Sequence, residues 1–510
     1  MKQFTLKKNR KLHLLIIIAL SFLIAALPHA GWTFYRELDH WIGNSFFKLR
    51  YTIKGKEKIE RALSVFNITD DDVTHIPELR GTPSDRTIFS HIIDMLSRGG
   101  AKTVIFDLLF LKAGDEDSDR ALVRSTREAG FVFYPVSFNS GRNWEIIDKE
   151  LFKEILFLPA VSGNGFPEQA DTMSPLIPGL VEAARGVGGI ALAPDSDGIS
   201  RRLPLIYSYK NRNEYIPSLV LQGICHFLNV TSGNIEVVWG KHIKLTGDKK
   251  VYRIPIDKKG CMIINYSGPW KDPLAGFSLE SVLSYRDDDS RELKELFRNT
   301  LVFISDISSG QKDYSRGIFE SDYPNSGIIS NAINTILTEN YLYEPGPAST
   351  ILTSLIFAAV IWFAAVRFKS LHRLVLLFSF FLLYLITEVV LFIFFNQLPL
   401  LSLPLIGMFF SLLFFVIYEK NIKRLDTSFP QSGLKINEDA CKKYRIAPEE
   451  RNTLIVLLEG HTYGKAAQIL GKNENTIKNQ VSRIKDKVYG DKAHRATKDD
   501  VIQTFTSDSE

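Results

Sequence analysis

Cysteine is scarce in this sequence. Three residues, Cys225, Cys261 and Cys441, in a chain of 510 cannot staple a disulfide scaffold, and none forms the C-x-x-C pair of zinc or redox sites. Walker, Ser-His-Asp and metalloprotease signatures are absent as well, so the sequence assigns no catalysis, no cofactor and no metal. Charge is missing from several long stretches, although the chain carries 62 Lys and Arg and 57 Asp and Glu. A mean hydropathy near zero is therefore an average over segments that belong in different solvents. The net charge of +5 points to no class of partner at this size. Length is short only at the end: about ninety residues follow the last apolar run, fewer than a histidine kinase or cyclase domain needs. Taken whole, the chain is long enough for two or three folded units with connecting segments.

The uncharged stretches read as membrane spans. After a cytoplasmic start (1–11) that carries Lys2, Lys7, Lys8, Arg10 and Lys11, residues 12–34 are almost continuously apolar, enough to cross a bilayer core. Within it, the Pro28-His29-Ala30-Gly31-Trp32 that follows the aliphatic run to Leu27 offers no small-x-small cleavage site, which favours an uncleaved anchor over a signal peptide. Further spans are expected at 348–366, 374–395 and 398–418. Arg367, Lys369, His372 and Arg373 separate the first two of these, only Asn396 and Gln397 separate the last two, and Lys420, Lys423 and Arg424 follow. Positive charge thus alternates with its absence as a four-span chain with both termini inside requires. Glu388 falls inside the third of the four spans, where it needs a partner, expected on a neighbouring helix or on a second copy.

Residues 35–347 read as one soluble α/β domain outside the cytoplasm, because short β-branched and aromatic runs alternate with amphipathic stretches. The clearest unit is Asp85 to Phe110: Ile88, Ile92, Ile93 and Leu96 at helical spacing, Gly99 and Gly100 as a stop, then a buried strand from Thr103 to Phe110. Further strands are expected at Phe131 to Phe138, Gly189 to Ala193, Cys261 to Tyr266 and Thr300 to Ser305, in a mostly parallel, helix-covered sheet. Asp195, Asp197 and Gly198 read as a turn paired with Arg201 and Arg202 rather than a cation loop, which needs more oxygen ligands. Asp107, Asp115, Glu116, Asp117 and Asp119 read as a solvated loop. Cys225 and Cys261 share this domain, and the sequence leaves open whether they bridge; Cys441, on the cytoplasmic side, stays reduced.

This region resembles the second class of CHASE domains, external sensors that precede bacterial histidine kinases, cyclases and some regulators. The resemblance rests on Thr82-Pro83-Ser84-Asp85-Arg86, on Gly100 to Asp107, on Pro194 to Arg202, and on Leu301-Val302-Phe303-Ile304 followed by Asp313 and Gly327 to Ala332. Two departures stand out. Ser84 replaces an aromatic residue, and the early strand is degraded to Phe66-Asn67-Ile68-Thr69-Asp70, which puts a ligand site at that strand end in doubt. The resemblance implies a bacterial inner-membrane protein that senses an unidentified external signal.

Residues 419–439, with Pro430 and Gly433, read as a linker, and 440–506 as a compact helical domain. Pro448, Glu449 and Glu450 open a helix that Gly460 stops. A short second helix turns Ala466, Ala467 and Leu470 inward. A third starts at Asn473 and aligns Ile477, Val481, Ile484 and Val488 on one face, with Lys478, Asn479, Ser482 and Lys485 on the other. The segment resembles the LuxR-type helix-turn-helix through Pro448, Glu450, Leu454, Leu457-Leu458, Gly460, Lys465, Ala467, Leu470, Thr476-Ile477-Lys478-Asn479 and Ile484. Ala447 stands where that family has a Thr cap, Ala466 where it has a larger aliphatic residue and Gln480 where it has His. The resemblance implies that Lys478, Asn479 and Ser482 read base edges while Lys465, Thr476 and Arg483 hold phosphates.

The expected whole is a multidomain membrane protein: an α/β extracytoplasmic sensor, four transmembrane helices and an all-α helix-turn-helix output. As a one-component transcription regulator its partners are double-stranded DNA, the lipid bilayer, an external ligand or signal and a second copy of itself. The alternative is an adaptor whose helix-turn-helix binds a protein.

Overall fold

The computed structural model describes residues 34–80, 85–138, 145–146, 160–174, 176–209, 214–248, 250–270, 276–285, 291–311, 313–368, 370–399, 401 and 436–506. It divides into two compact units, one up to Gly407 and one from Met408. The first span (12–33), most of the fourth and most of the linker lie outside the described residues.

The first unit opens with a long amphipathic helix, α1 (Phe34–Lys54), and is organised around a sheet built from β1 (Leu63–Ile68), β2 (Thr103–Asp107), β3 (Val132–Val136), β4 (Gly186–Gly189), β5 (Phe277–Ser278) and β6 (Leu301–Asp306). Among the described residues the strands run in the order β5-β1-β6-β2-β3-β4, and every neighbouring pair is parallel, as the continuous apolar runs predict. Even-numbered side chains such as Phe66, Phe106 and Ile304 face α2 (Thr87–Gly99), α3 (Glu116–Ala129) and α5 (Arg291–Phe297). Odd-numbered ones such as Val65, Ile105 and Phe303 face α4 (Leu219–Phe227) and α6 (Asn325–Thr338). Both faces are dry, which is why these strands do not alternate with polar residues.

Several expectations shift. Of the segment read as degraded, Phe66 to Ile68 belongs to the fully buried β1, while Thr69 caps a short helix that begins at Asp70; two sheet neighbours supply the strand's hydrogen bonds whatever the local propensity. The strand expected at Gly189 to Ala193 is instead Gly186–Gly189. Its glycines are poor strand formers, but a Cβ at Gly188 would meet Gln222 Nε2 at 2.6 Å and the Leu219 nitrogen at 2.7 Å, so close approach of α4 dictates them. Cys261–Ile263 pairs antiparallel with Arg202–Pro204, outside the main sheet. A separate four-stranded sheet, Ala160–Ser162, Ile235–Val238, His242–Thr246 and Val251–Pro255, was not legible, because its short strands carry charged residues on their exposed positions. Cys225 and Cys261 are both buried and free.

The turn at Asp195–Ile199 is confirmed. Gly198 takes φ +79° and Arg201 binds Asp195 at 2.9 Å and Asp197 at 2.7 Å, putting a guanidinium where a cation would sit. Arg202 goes elsewhere, to Glu344. The acidic run after Asp107 is not all loop: Asp115 caps α3 by accepting from the Ser118 amide at 2.9 Å, and Asp119 pairs with the buried Arg86.

Two apolar helices follow, α7 (Pro347–Arg367) and α8 (Ser370–Phe395), packed through Phe357 against Phe380 and Tyr384 with ring centroids 5.0 Å apart. Residues His372–Phe395 are long and apolar enough to cross a membrane; Ala348–Ala364 is shorter. His372 and Arg373 belong to α8 rather than to the preceding turn. Glu388 is hydrogen-bonded with Tyr384, one turn earlier on its own helix.

The second unit packs α9 (Glu438–Lys443), α10 (Pro448–Leu458), α11 (Tyr463–Leu470), α12 (Glu474–Tyr489) and α13 (Lys498–Phe505) around two small cores, one on Val456, Leu457, Ala466, Ala467, Ile477 and Val481, the other on Cys441, Leu454, Ile484, Val501 and Phe505. Ile436 bridges to Thr506, so the folded segment begins four residues before the expected boundary at 440.

Candidate functional site

In parallel sheets the carboxyl ends of the strands gather loops and helix N-termini, and ligands favour that rim. Here Asn67, Ser305 and Asp107 stand in one register row across β1, β6 and β2. They share the parity that faces α6. Ser305 donates to Asn67 Oδ1 at 2.9 Å. Beyond the row, the loop after β6 folds back: Ser309 donates its amide and hydroxyl to Asp70 Oδ1, each at 2.9 Å. Asn325, the first residue of α6, donates its side-chain amide to Asp313 Oδ1 at 2.5 Å. Asp107 is only partly exposed, and burial first, then the negative charge of Asp313, pushes its carboxyl up to about 7. It therefore changes charge in the neutral range, which the loop reading of Asp107 missed. Its position as the last residue of an apolar strand is the signal that could have found it. Thr82, Pro83 and Ser84 lie outside the described residues.

Residues 15–367 match the CHASE2 domain, a stretch that takes in α1, the whole α/β unit and α7. The chain belongs to the CHASE2 family. A sensing role follows for the α/β unit. No curated protein and no solved structure matches the chain.

Outside the CHASE2 domain, the second unit carries the residues expected to contact DNA. Thr462 caps α11 through the Lys465 amide at 3.3 Å, Gly471 ends it at φ +61°, and Asn473 caps α12 through the Asn475 amide at 2.9 Å. Ile477, Val481 and Ile484 are buried, which rotates Thr476, Lys478, Asn479, Ser482 and Arg483 into solvent, and Lys465 is exposed on α11. Lys478 shares its charge with Glu474 at 2.8 Å. Lys485 departs from the expected polar face: it is drawn to the Ala496 carbonyl at 2.5 Å and helps fix the turn after α12. Ala447 offers no side-chain cap, but Glu450 accepts from its amide at 2.8 Å and pairs with Lys487 at 2.5 Å. Gln480 is buried, accepting from Thr453 at 2.7 Å and donating to Glu449 at 3.2 Å, so it ties α12 to α10 and is unavailable to a ligand.

Proposed function

We propose that this chain is a membrane-bound one-component transcription regulator of the bacterial inner membrane, with its CHASE2 domain outside the cytoplasm and its C-terminal unit on DNA. The observation that carries the output is the exposed row Lys478, Asn479 and Ser482 on a helix whose opposite face is buried. A helix capped at its start and polar along one side fits a major groove. Lys465 and Arg483 flank the row at positions suited to phosphates. The membrane reading draws on the outward large apolar side chains of α7 and α8, among them Leu352, Phe363, Phe378, Leu383 and Phe395, and on the apolar stretch of α8 being only 11% buried. Operator symmetry calls for a homodimer. No enzymatic step is part of this reading.

Duplex binding by the segment 436–510 tests the output. Lys478→Ala and Asn479→Ala should each cost about 1–3 kcal/mol on the operator and relax base preference locally. Lys465→Ala should weaken specific and random duplexes equally and lower the salt slope by about one phosphate. A folded segment that binds no duplex at any salt concentration would favour the adaptor, with Glu474 beside Lys478 serving a protein partner instead.

A further inference from the structure

Helix α6 spans the CHASE2 domain with a polar face it would not need for packing. All residues from Ser326 to Ile336 are buried, yet Asn331, Asn334 and Thr335 interrupt the apolar sequence. Each is spoken for. Asn331 accepts from the Ser267 amide at 2.8 Å and from its hydroxyl at 2.6 Å. Asn334 accepts from the Glu60 amide at 2.8 Å and donates to the Lys58 carbonyl at 3.0 Å. Thr335 accepts from the Asn265 amide at 3.1 Å. Just past the helix, Asn340 accepts from the Asn265 side chain at 2.8 Å, donates to Glu57 at 3.1 Å and accepts from Asn396 at 2.5 Å.

The bonds of Thr335 and Asn340 lead through Asn265, Glu57 and Asn396 to Arg50 of α1, which is 2% exposed. Its guanidinium donates to Asn265, meets Asn396 Oδ1 at 3.5 Å and Glu57 at 3.2 Å, and lies 4.6 Å from the centroid of the Phe392 ring. Asn396 ends α8 at φ +56°. Its carbonyl accepts from the Tyr343 amide at 3.0 Å, and the Leu398 amide returns to the Tyr343 carbonyl at 2.9 Å. Lys54 adds a bond to the Ile393 carbonyl at 2.5 Å. The far end of α6 begins at the sheet rim, where Asn325 holds Asp313.

We infer that α6 is a transmission rod, joining the sheet rim at Asn325 to a clasp at Arg50 that holds the end of α8. A helix of this length is about 21 Å long and moves as a body. Its buried amides have no water to fall back on, so a shift of the rod drags Asn265 and Asn340 or leaves them unpaired, at a cost that favours moving together. A signal at the rim therefore reaches α8 as displacement of Asn396 and Phe392 against Arg50.

Gly327 offers a wedge at the rim end, because a Cβ there would meet the Trp270 ring at 2.5 Å. Hydrogen exchange of the full chain in detergent micelles, with Gly327→Ala, should speed the Tyr343 and Leu398 amides several-fold while β1 and β6 keep their protection. In an Arg50→Lys background, where those amides already exchange fast, the wedge should add little. Asn325→Ala, which introduces no clash, should act in the same direction more weakly and serves if Gly327→Ala does not fold. Acceleration confined to residues near Trp270 and Tyr323, or equal fold-changes with and without Arg50→Lys, overturns the rod. The coupling takes only its direction from the sensing role of the rim: if Leu398 loosens while no duplex is bound by parent or variant, the rod stands and the output reading falls.

Discussion

Asp107 closes β2 with its carboxyl partly withdrawn from water, and desolvation ahead of the Asp313 charge lifts it from an ordinary 3.8 to about 7. The folded chain therefore holds a proton that the unfolded chain releases anywhere between those two values. Stability from this group is present in full below 3.8, declines as pH rises through the window and is gone above about 7. Asp107→Asn removes the titration and keeps the shape. Thermal or urea unfolding should show the variant level with the parent at pH 3.5, ahead of it as pH rises through the window, and more stable by on the order of 3–4 kcal/mol at pH 8. A parallel offset at both pH values would remove Asp107 from the rim chemistry. Glu388 has a partner in Tyr384, one turn away on its own helix. Glu388→Gln keeps a polar partner for Tyr384, so full-length insertion and the oligomeric state on size exclusion should match the parent; loss of the oligomer would assign Glu388 to an interface after all.

Helix α12 ties sequence to structure most directly, because its apolar residues recur at three and four positions and bury Ile477, Val481 and Ile484. Ile484→Asp would place a charge in the core shared with Leu454, Val501 and Phe505. The segment 436–510 should lose its helical circular dichroism altogether; a folded variant would mean that this core does not hold the unit together. Helices α2, α11 and α12 were legible through their period and α10 through Pro448 at its start and Gly460 at its end, and the parallel strands β2, β3 and β6 through apolar runs with no polar alternation. The signal failed where tertiary contact sets the residue. Gly186–Gly189 is a strand because α4 must come close, and Gln480 is a buried tie to Thr453 where the sequence shows only a polar residue on a polar helix. The face of Asn331, Asn334 and Thr335 on α6 has partners 64 to 276 positions away in the chain, and no local period can announce them.

Across the first unit, the chain path constrains topology more tightly than hydropathy alone. Helix α7 leaves the α/β unit directly after Gly346, and α8 returns to it, since Asn396 and Leu398 bond back to Tyr343. The two helices thus form a hairpin with its open end on the sensor and its closed end at Arg367 to Arg373. That closed end carries Arg367, Lys369, His372 and Arg373, while the open end at Asn396 and Gln397 has no charge. Basic turns stay in the cytoplasm, so the proposed reading puts the sensor end in the other compartment, and the Lys and Arg before residue 12 and after residue 418 support the same orientation. Alkaline phosphatase fused after Lys250 should be active, and fusions after Lys369 and Lys435 should be inactive while fluorescent-protein fusions at those two sites glow. The three sites answer separate questions: Lys250 places the sensor, Lys369 the hairpin and Lys435 the output unit. A cytoplasmic result at Lys250 would invert the sensor and abandon external sensing. An external result at Lys435 alone would leave the sensor in place and remove access to DNA, because an even number of spans between Lys435 and the N-terminus is what keeps the output on the cytoplasmic side.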